Sequence, residues 1–308
     1  MNSREEKAAI VAMLFVGISY GVAGYTAREL QEELGLWQQI ALQNWGGLVI
    51  SLLLHWMIRG RVYPARINKR TSMELLGRAV FGRIGGSYFF IQACLLAPLG
   101  NVGWLSALPM SVLFAWVIYG ERASRKELAL LVLGLFGAGL IMSPSLGNSS
   151  KIGLGEFYAI VSCAASGLGA VLGKRAMKEV DPWSGVVWIL LFTSLLSSIL
   201  ASLLEGGMQL PSTAKLPVLG MVAVMVVIGS MGTLYGYAKL SASFATAILS
   251  LEAVWSILFG LAIYGEYPSA IGIIGGSLIV WSAYAMQRKP KEKSCEQSLT
   301  LSECEVTV

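Results

Sequence analysis

The chain has 308 residues, of which 55% are hydrophobic and 13% are charged, and its mean hydropathy is +0.66. Soluble domains carry about 25% charged residues, so this composition excludes an ordinary soluble domain and predicts a protein surrounded largely by lipid. The net charge of +5 does not indicate a nucleic-acid partner, because the basic residues form short clusters between apolar runs rather than one patch.

Ten apolar runs are long enough to cross a bilayer, which takes about 20 residues of helix. Only helices satisfy their own backbone hydrogen bonds in lipid, so we predict an all-α membrane protein with ten transmembrane helices. The predicted spans are residues 8–27, 38–58, 77–97, 101–119, 127–143, 154–174, 183–204, 216–238, 243–264 and 268–287. The first run lacks a signal-peptide cleavage pattern, and we expect it to be retained.

Lys and Arg are distributed unevenly between the two sides of this topology. With the N-terminus in the cytoplasm, the outside segments hold only Arg28, Lys151 and Lys215, whereas the inside segments are rich in basic residues. This asymmetry predicts a multi-pass protein of the plasma (inner) membrane with both termini in the cytoplasm. The tail at 291–308 is polar and is predicted to be a disordered cytoplasmic segment.

The tetrapeptide IYGE occurs twice, at 118–121 and at 263–266, and each copy closes an apolar run. In the predicted topology the first copy lies on the cytoplasmic side and the second on the outer side. Two copies at opposite faces require halves of opposite topology, which an odd number of spans per half produces. We therefore predict two inverted five-helix repeats, residues 1–145 and 150–290, joined by a Ser- and Gly-rich hinge at 143–153.

A second pair of similar stretches supports the duplication. ARELQEELGLW ends at Trp37 and GKRAMKEVDPW ends at Trp183, and their offset is almost that of the IYGE copies. This alignment places Arg28 opposite Lys174, at the ends of the first and sixth spans. Interfacial anchoring is the ordinary role of such residues, and gating at each mouth is the alternative.

The stretch SLEAVWSILFGLAIYGE at 250–266, with the related ALPMSVLFAWVIYGE in the first half, resembles the ten-helix EamA-like branch of the drug/metabolite transporter (DMT) superfamily. The phrase usual in that family has Glu, then Pro, and a closing Gly-Glu pair. Here Glu252 matches the first Glu, Ala253 replaces the Pro, and the closing pair is kept. The resemblance covers 8–287 and implies a transporter of small metabolites, often amino acids and commonly in the export direction, with a central cavity.

Inverted halves that differ in conformation open a central cavity to one side, and exchanging their conformations opens it to the other. We predict alternating access of this kind. The predicted partners are a small-molecule substrate and the lipid bilayer. The sequence does not distinguish a monomer from a homodimer. A channel or a non-transporting scaffold is the alternative. An intramembrane enzyme fits less well, because the only His is His55, the four Cys lack metal-ligand spacing, and no nucleotide-binding loop occurs. We therefore predict a non-enzyme without metal or cofactor.

Two charged residues inside the spans are the first candidates for substrate binding. A charge at the centre of a membrane helix costs roughly 2.5–3.5 kcal/mol on insertion scales, so it usually faces a partner or a water-filled cavity. Glu252 lies near the middle of span 9, and Arg83 lies in span 3 within GRIGGS. If both line one cavity, they would suit the two ends of a zwitterion. The alternatives are that they pair with each other or that Arg83 extends to the lipid headgroups. Proton coupling through Glu252 and facilitated diffusion both fit.

Members of the family commonly carry an Arg in the second span, where this chain has Gln43 and Asn44. The contact made by that Arg is either lost here or moved, and Arg83 is the candidate replacement. Gln43 and Asn44 can themselves hydrogen-bond a substrate, although a bond to a neighbouring helix is the commoner use of such residues.

Aromatic residues within the spans complete the candidate set. Trp104, Trp255, Tyr20 and Tyr235 can wall a pocket and offer a ring face to a cation, or they can pack between helices. The glutamates that close the two IYGE copies, Glu121 and Glu266, are predicted to cap the helix that follows each of them.

Overall fold

The computed structural model describes residues 3–60, 64–120, 125–146, 153–173, 176–239, 248 and 252–286. Within these ranges all regular secondary structure is helical, so the all-α prediction is confirmed there. The helices are α1 (Ser3–Gln31), α2 (Leu36–Arg59), α3 (Lys69–Gly77), a π-helical segment (Arg78–Gly85), α4 (Gly86–Leu96), α5 (Leu99–Ser106), α6 (Met110–Tyr119), α7 (Arg125–Leu146), α8 (Leu154–Gly173), α9 (Ala176–Glu179), α10 (Pro182–Leu204), α11 (Leu216–Lys239), α12 (Glu252–Tyr264) and α13 (Ala270–Met286).

Seven helical stretches in the described part of the chain are long and apolar enough to cross a membrane. They are Lys7–Gln31, Leu36–Arg59, Lys69–Leu96, Arg125–Ser143, Leu154–Gly173, Pro182–Leu204 and Leu216–Gly236. The apolar helices α12 and α13 are shorter. The predicted tail at 291–308 and most of the hinge lie outside the described residues.

The fourth predicted span is broken, so the prediction of one helix over 101–119 is wrong. Helix α5 ends at Ser106 and α6 starts at Met110, directly after Pro109. A proline has no N–H, and its ring clashes with the carbonyl four residues earlier, so it kinks or breaks a helix; at Pro109 the helix is broken. The thiol of Cys163 on α8 donates to the carbonyls of Ser106 and Leu108 at this break, at 3.4 and 3.1 Å.

Helix α7 runs to Leu146, so the predicted hinge at 143–153 begins too early. Pro144 cannot donate to the carbonyl of Leu140, but the hydroxyl of Ser143 donates to that oxygen at 2.8 Å instead. This bond satisfies the acceptor that the proline leaves without a backbone donor, and the helix continues for its last turn.

The helices pack as a bundle in which several neighbours touch through glycine. Helix α1 packs against α11 and α12, α2 against α10 and α11, and α7 against α13. Helix α8 packs against the continuous rod formed by α3, the π-helical segment and α4, and also against α5 and α6. A Cβ atom added to Gly169 on α8 would overlap the backbone of Gly82. Such small residues allow the close backbone approach typical of membrane helices.

The ends of α1 and α11 are tied together at the face of the bundle that the topology predicts to be outside, which we call the outer end. Lys215 lies 2.8 Å from a carboxylate oxygen of both Glu29 and Glu32, and the hydrogen bonds to these carboxylates raise the pKa of Lys215. The backbone N–H and hydroxyl of Ser212 both donate to Glu33, and these bonds, the hydroxyl's first, hold the pKa of Glu33 below its usual range.

Candidate functional site

A cavity of about 260 Å³ lies at the centre of the bundle. Its walls come from α1, α2, the π-helical segment, α4, α8 and α11, together with the break between α5 and α6 and the first residue of α12. Both predicted halves therefore contribute to it. Sites for drug-sized ligands measure about 300–1,000 Å³, so this volume suits a small solute.

Four of the eight sequence-predicted candidates line this cavity: Glu252, Arg83, Tyr20 and Gln43. The sequence separates them widely, and the fold brings them to one space. The other four, Asn44, Trp104, Trp255 and Tyr235, are absent from its lining.

Arg83 is held inside the bundle by α2. Its Nη2 donates to Oδ1 of Asn44 at 3.1 Å, and Nδ2 of Asn44 donates to the carbonyl of Ile40 at 2.6 Å. The Nε atom of Arg83 is fully buried and has no hydrogen-bond partner among the described residues. Among the described residues Arg83 forms no ion pair with Glu252, and its contact is with Asn44, which is absent from the cavity lining.

The π-helical segment explains how Arg83 comes to face the cavity. Both Arg78 and Arg83 line the cavity, yet residues five apart in an α-helix, with its 3.6 residues per turn, point about 140° apart. A π-helix closes its ring between residues i and i+5, which brings such residues toward one face. Arg78 is a lining residue that sequence reasoning missed; the nearby Gly82 and Gly85 are the signal for an irregular helix here.

Glu252 starts α12, is 9% exposed and lines the cavity. Within the described ranges it forms no ion pair, and in particular none with Arg83. A basic and an acidic side chain therefore face one cavity without pairing with each other. The lining also carries small hydroxyl side chains, including Ser162 and Ser166 one turn apart on α8, which were not predicted. Hydroxyls four residues apart on an otherwise apolar helix are the signal that would have found them.

The three remaining aromatic candidates lie in helix packing. The ring of Trp104 covers Gly276 on α13, and its buried Nε1 has no hydrogen-bond partner in the part of the chain that the structure describes. Trp255 lies against Gly21 on α1. Tyr235 packs on the apolar cluster that contains Met13.

A cluster of charged and backbone groups closes the bundle at its outer end. Arg28 forms an ion pair with Glu266 at 2.6 Å between Nη1 and Oε1, and it donates to the carbonyls of Cys94 and Ala97 at 2.6 and 2.9 Å. Oε2 of Glu266 accepts from the backbone N–H of Leu99 at 2.8 Å. We call this set, together with the Tyr264 ring 4.5 Å from the guanidinium carbon, the outer cluster.

The outer cluster changes two predictions about its members. Glu266 caps α5, whose first residue is Leu99, and not the helix that follows it, which receives its cap from Ser269. The reason is that Glu266 bends back onto the bundle, where its own N–H donates to the carbonyl of Gly260. Arg28 is 18% exposed in its side chain, so it is a bridge between helices rather than a simple interfacial anchor. Their repeat-related partners, Glu121 and Lys174, lie outside the described residues.

An apolar cluster borders the cavity near the C-terminal end of α1, where Leu30 and Val222 line it. Leu30, Leu34 and Val222 form an apolar cluster and are each at most 2% exposed. Gln39 lies beside them and donates to Gln31 at 3.0 Å. The last turns of α1 therefore carry both apolar packing on Val222 and, through Arg28, the hydrogen bonds of the outer cluster.

The sequence profile of the EamA-like transporter family matches residues 7–143 and, a second time, residues 153–287. The chain belongs to the EamA-like transporter family. Family membership and the apolar helices together make it a multi-pass membrane transporter of the DMT superfamily, with a small-molecule substrate, and the resemblance stated from the sequence is confirmed.

Individual relatives agree with this family. The chain is 27% identical over 214 residues to an uncharacterized transporter of Archaeoglobus fulgidus, covering 68% of this chain and 75% of that protein. It is 25% identical over 252 residues to the pseudopaline exporter of Pseudomonas aeruginosa, covering 80% of this chain and 84% of that protein. A solved crystal structure superposes with a TM-score of 0.68 over 91% of this chain and 96% of that chain at 18% identity, which shows a shared fold.

Proposed function

We propose that this EamA-like protein is a secondary transporter that exports an amino acid or a related zwitterionic or amphipathic metabolite across the plasma membrane by alternating access. The observation that carries the proposal is the central cavity, which Arg83 and Glu252 line, one basic and one acidic side chain that do not pair with each other. A zwitterion offers a carboxylate to the first and an amine to the second. The likeness to a protein named as an exporter supports the direction.

The arrangement of the helices supports two inverted five-helix repeats. Under the predicted pairing of spans, α1 corresponds to α8, and α11 corresponds to the α3–π–α4 rod. Helix α1 packs against α11 just as α8 packs against that rod, and α1 packs against α12 just as α8 packs against α5 and α6. The profile also matches twice, once in each proposed half.

The two IYGE copies supply a second line of support. The second copy ends at Glu266, which binds Leu99 at the first residue of α5. The first copy lies at the C-terminal end of α6, the helix that follows α5. With α5 and α6 together as one crossing of the membrane, the two copies would lie at its opposite ends, which is what inverted halves require. We accordingly propose that the termini lie in the cytoplasm, with Glu266 at the outside.

The test is uptake of a metabolite panel into proteoliposomes, with and without a pH gradient. We expect at least one amino acid or related zwitterion to be taken up saturably, and Glu252→Gln and Arg83→Gln each to reduce that uptake at least tenfold. Glu32→Gln and Arg70→Gln are matched controls, since their side chains are 68% and 66% exposed outside the cavity, and they should retain uptake. Loss of only the proton-driven component in Glu252→Gln would assign coupling to that carboxylate.

A channel is distinguished by kinetics. A carrier shows saturation, because each molecule has a limited number of binding sites. It also shows counterflow, because unlabelled solute inside the liposome drives the uptake of labelled solute through the same site. A channel shows neither. If no solute exceeds the flux into empty liposomes, the transport proposal fails and a scaffold becomes the better account.

A further inference from the structure

Asn44 is fully buried and is absent from the cavity lining, yet it contacts the cation that faces the cavity. Its amide is fixed at both ends: Nδ2 donates to Ile40 O at 2.6 Å and Oδ1 accepts from Arg83 Nη2 at 3.1 Å. An amide nitrogen can only donate, so the bond to Ile40 decides that the oxygen is the atom presented to Arg83.

This contact determines which part of the guanidinium a solute can meet. Nε is buried, so the side of the guanidinium that carries it is closed. Nη1 has no hydrogen-bond partner among the described residues, and it is not one of the fully buried, partnerless atoms. The end of the guanidinium that carries Nη1 and Nη2 is therefore the part that a solute in the cavity can contact. Two parallel N–H groups at such an end match the two oxygens of a carboxylate.

We propose that Asn44 is a positioning residue, which holds the Arg83 guanidinium so that its Nη end receives the carboxylate of the transported solute. The inference rests on the proposed function and deepens it, because it assigns the carboxylate end of the solute to the π-helical segment. Without Asn44 the charge stays in the cavity, but its orientation is lost. Arg83 then attracts anions without the paired geometry that selects a carboxylate.

The experiment compares solutes that differ only in the carboxylate: amino acids of the uptake panel, their carboxamides and their decarboxylated amines. In proteoliposomes, Asn44→Leu should raise the KM for the carboxylate solutes about tenfold, the effect of losing one well-oriented bond to a charged group. The KM for the carboxamides should change less than twofold. Ser51→Ala is the matched control, because Ser51 is also fully buried on α2 and its hydroxyl has no partner.

A double-mutant cycle separates positioning from general damage. In an Arg83→Leu background, Asn44→Leu should have no further effect on the carboxylate KM, because its role acts through the missing guanidinium. Equal losses for carboxylate and carboxamide solutes, or full additivity in the cycle, would overturn the role of Asn44 while leaving the transporter intact. A wild-type preference for the decarboxylated amines would overturn the carboxylate assignment. If the wild type transported no solute at all, the proposed function would be wrong, and this inference would fail with it.

Discussion

Replacing Glu266 by Gln should open the outer end of the bundle. Glu266 uses one carboxylate oxygen for Arg28 at 2.6 Å and the other for the N–H of Leu99 at 2.8 Å. Glutamine keeps a single acceptor, so one of these donors would face an NH2 group, and the charge that balances Arg28 is removed. The outer cluster joins α1 to the start of α5, and weakening it favours a state in which these helices separate.

The magnitude follows from burial and bond type. A hydrogen bond to a charged group contributes about 1.5–3 kcal/mol, but the two side chains are 18% and 24% exposed, which moves the value toward the lower part of that range. We expect a loss of about 2 kcal/mol from the closed outer end, which corresponds to a change of about 30-fold in the opening equilibrium.

Thr26 provides the reporter for this opening. It lines the cavity and is 1% exposed, and its position lies within one turn of Arg28. In a variant with Thr26→Cys and the four native cysteines replaced by Ala, the rate of labelling by a membrane-impermeant maleimide from outside measures opening. Glu266→Gln should raise that rate about 30-fold.

The control is Glu32→Gln, which also removes an outer carboxylate but one that is 68% exposed and paired with Lys215. Exposed ion pairs are worth about 0.2–1 kcal/mol, so its labelling rate should rise less than about fivefold. An unchanged rate in Glu266→Gln, or one no greater than in the control, would refute the role of the outer cluster as a closure.

Two further predictions concern packing. Gly169→Leu should lower the midpoint of thermal unfolding by several degrees, because a side chain there overlaps the backbone of Gly82 and overpacking costs about 1–3 kcal/mol. Gly139→Leu is the control and should not lower the midpoint, because a Cβ at that position meets open space. Equal midpoints for the two variants would contradict the close contact of Gly169 with Gly82. Trp104→Phe should lower that midpoint, because the indole ring lies directly against Gly276 and a smaller ring leaves a cavity there. The buried Nε1 has no partner to lose among the described residues, so the expected decrease comes from packing, and an unchanged midpoint would contradict the close contact with Gly276.

The broad class of the protein could be predicted from sequence because it depends on local properties. The length of each apolar run, the sparse charges and the positions of Lys and Arg need no knowledge of distant contacts. Glu252 and Arg83 could be singled out for the same reason, since a charge within an apolar run is costly wherever the helix packs. The break at Pro109 was also a local signal, and the prediction of one continuous helix there overlooked it.

Contacts between helices could not be predicted from the sequence. Asn44 was a candidate for touching the solute, and only packing shows that it touches Arg83 instead. Glu266 was predicted to cap its own following helix, although its partner Arg28 lies 238 residues away along the chain. Nothing in either local stretch encodes that pairing, because it depends on how α1, α5 and α12 meet. The sequence by itself determined a bundle of membrane helices with charges inside it; the tertiary structure decided which charges meet and which are left facing the cavity, since side-chain partners are chosen by the packing of whole helices.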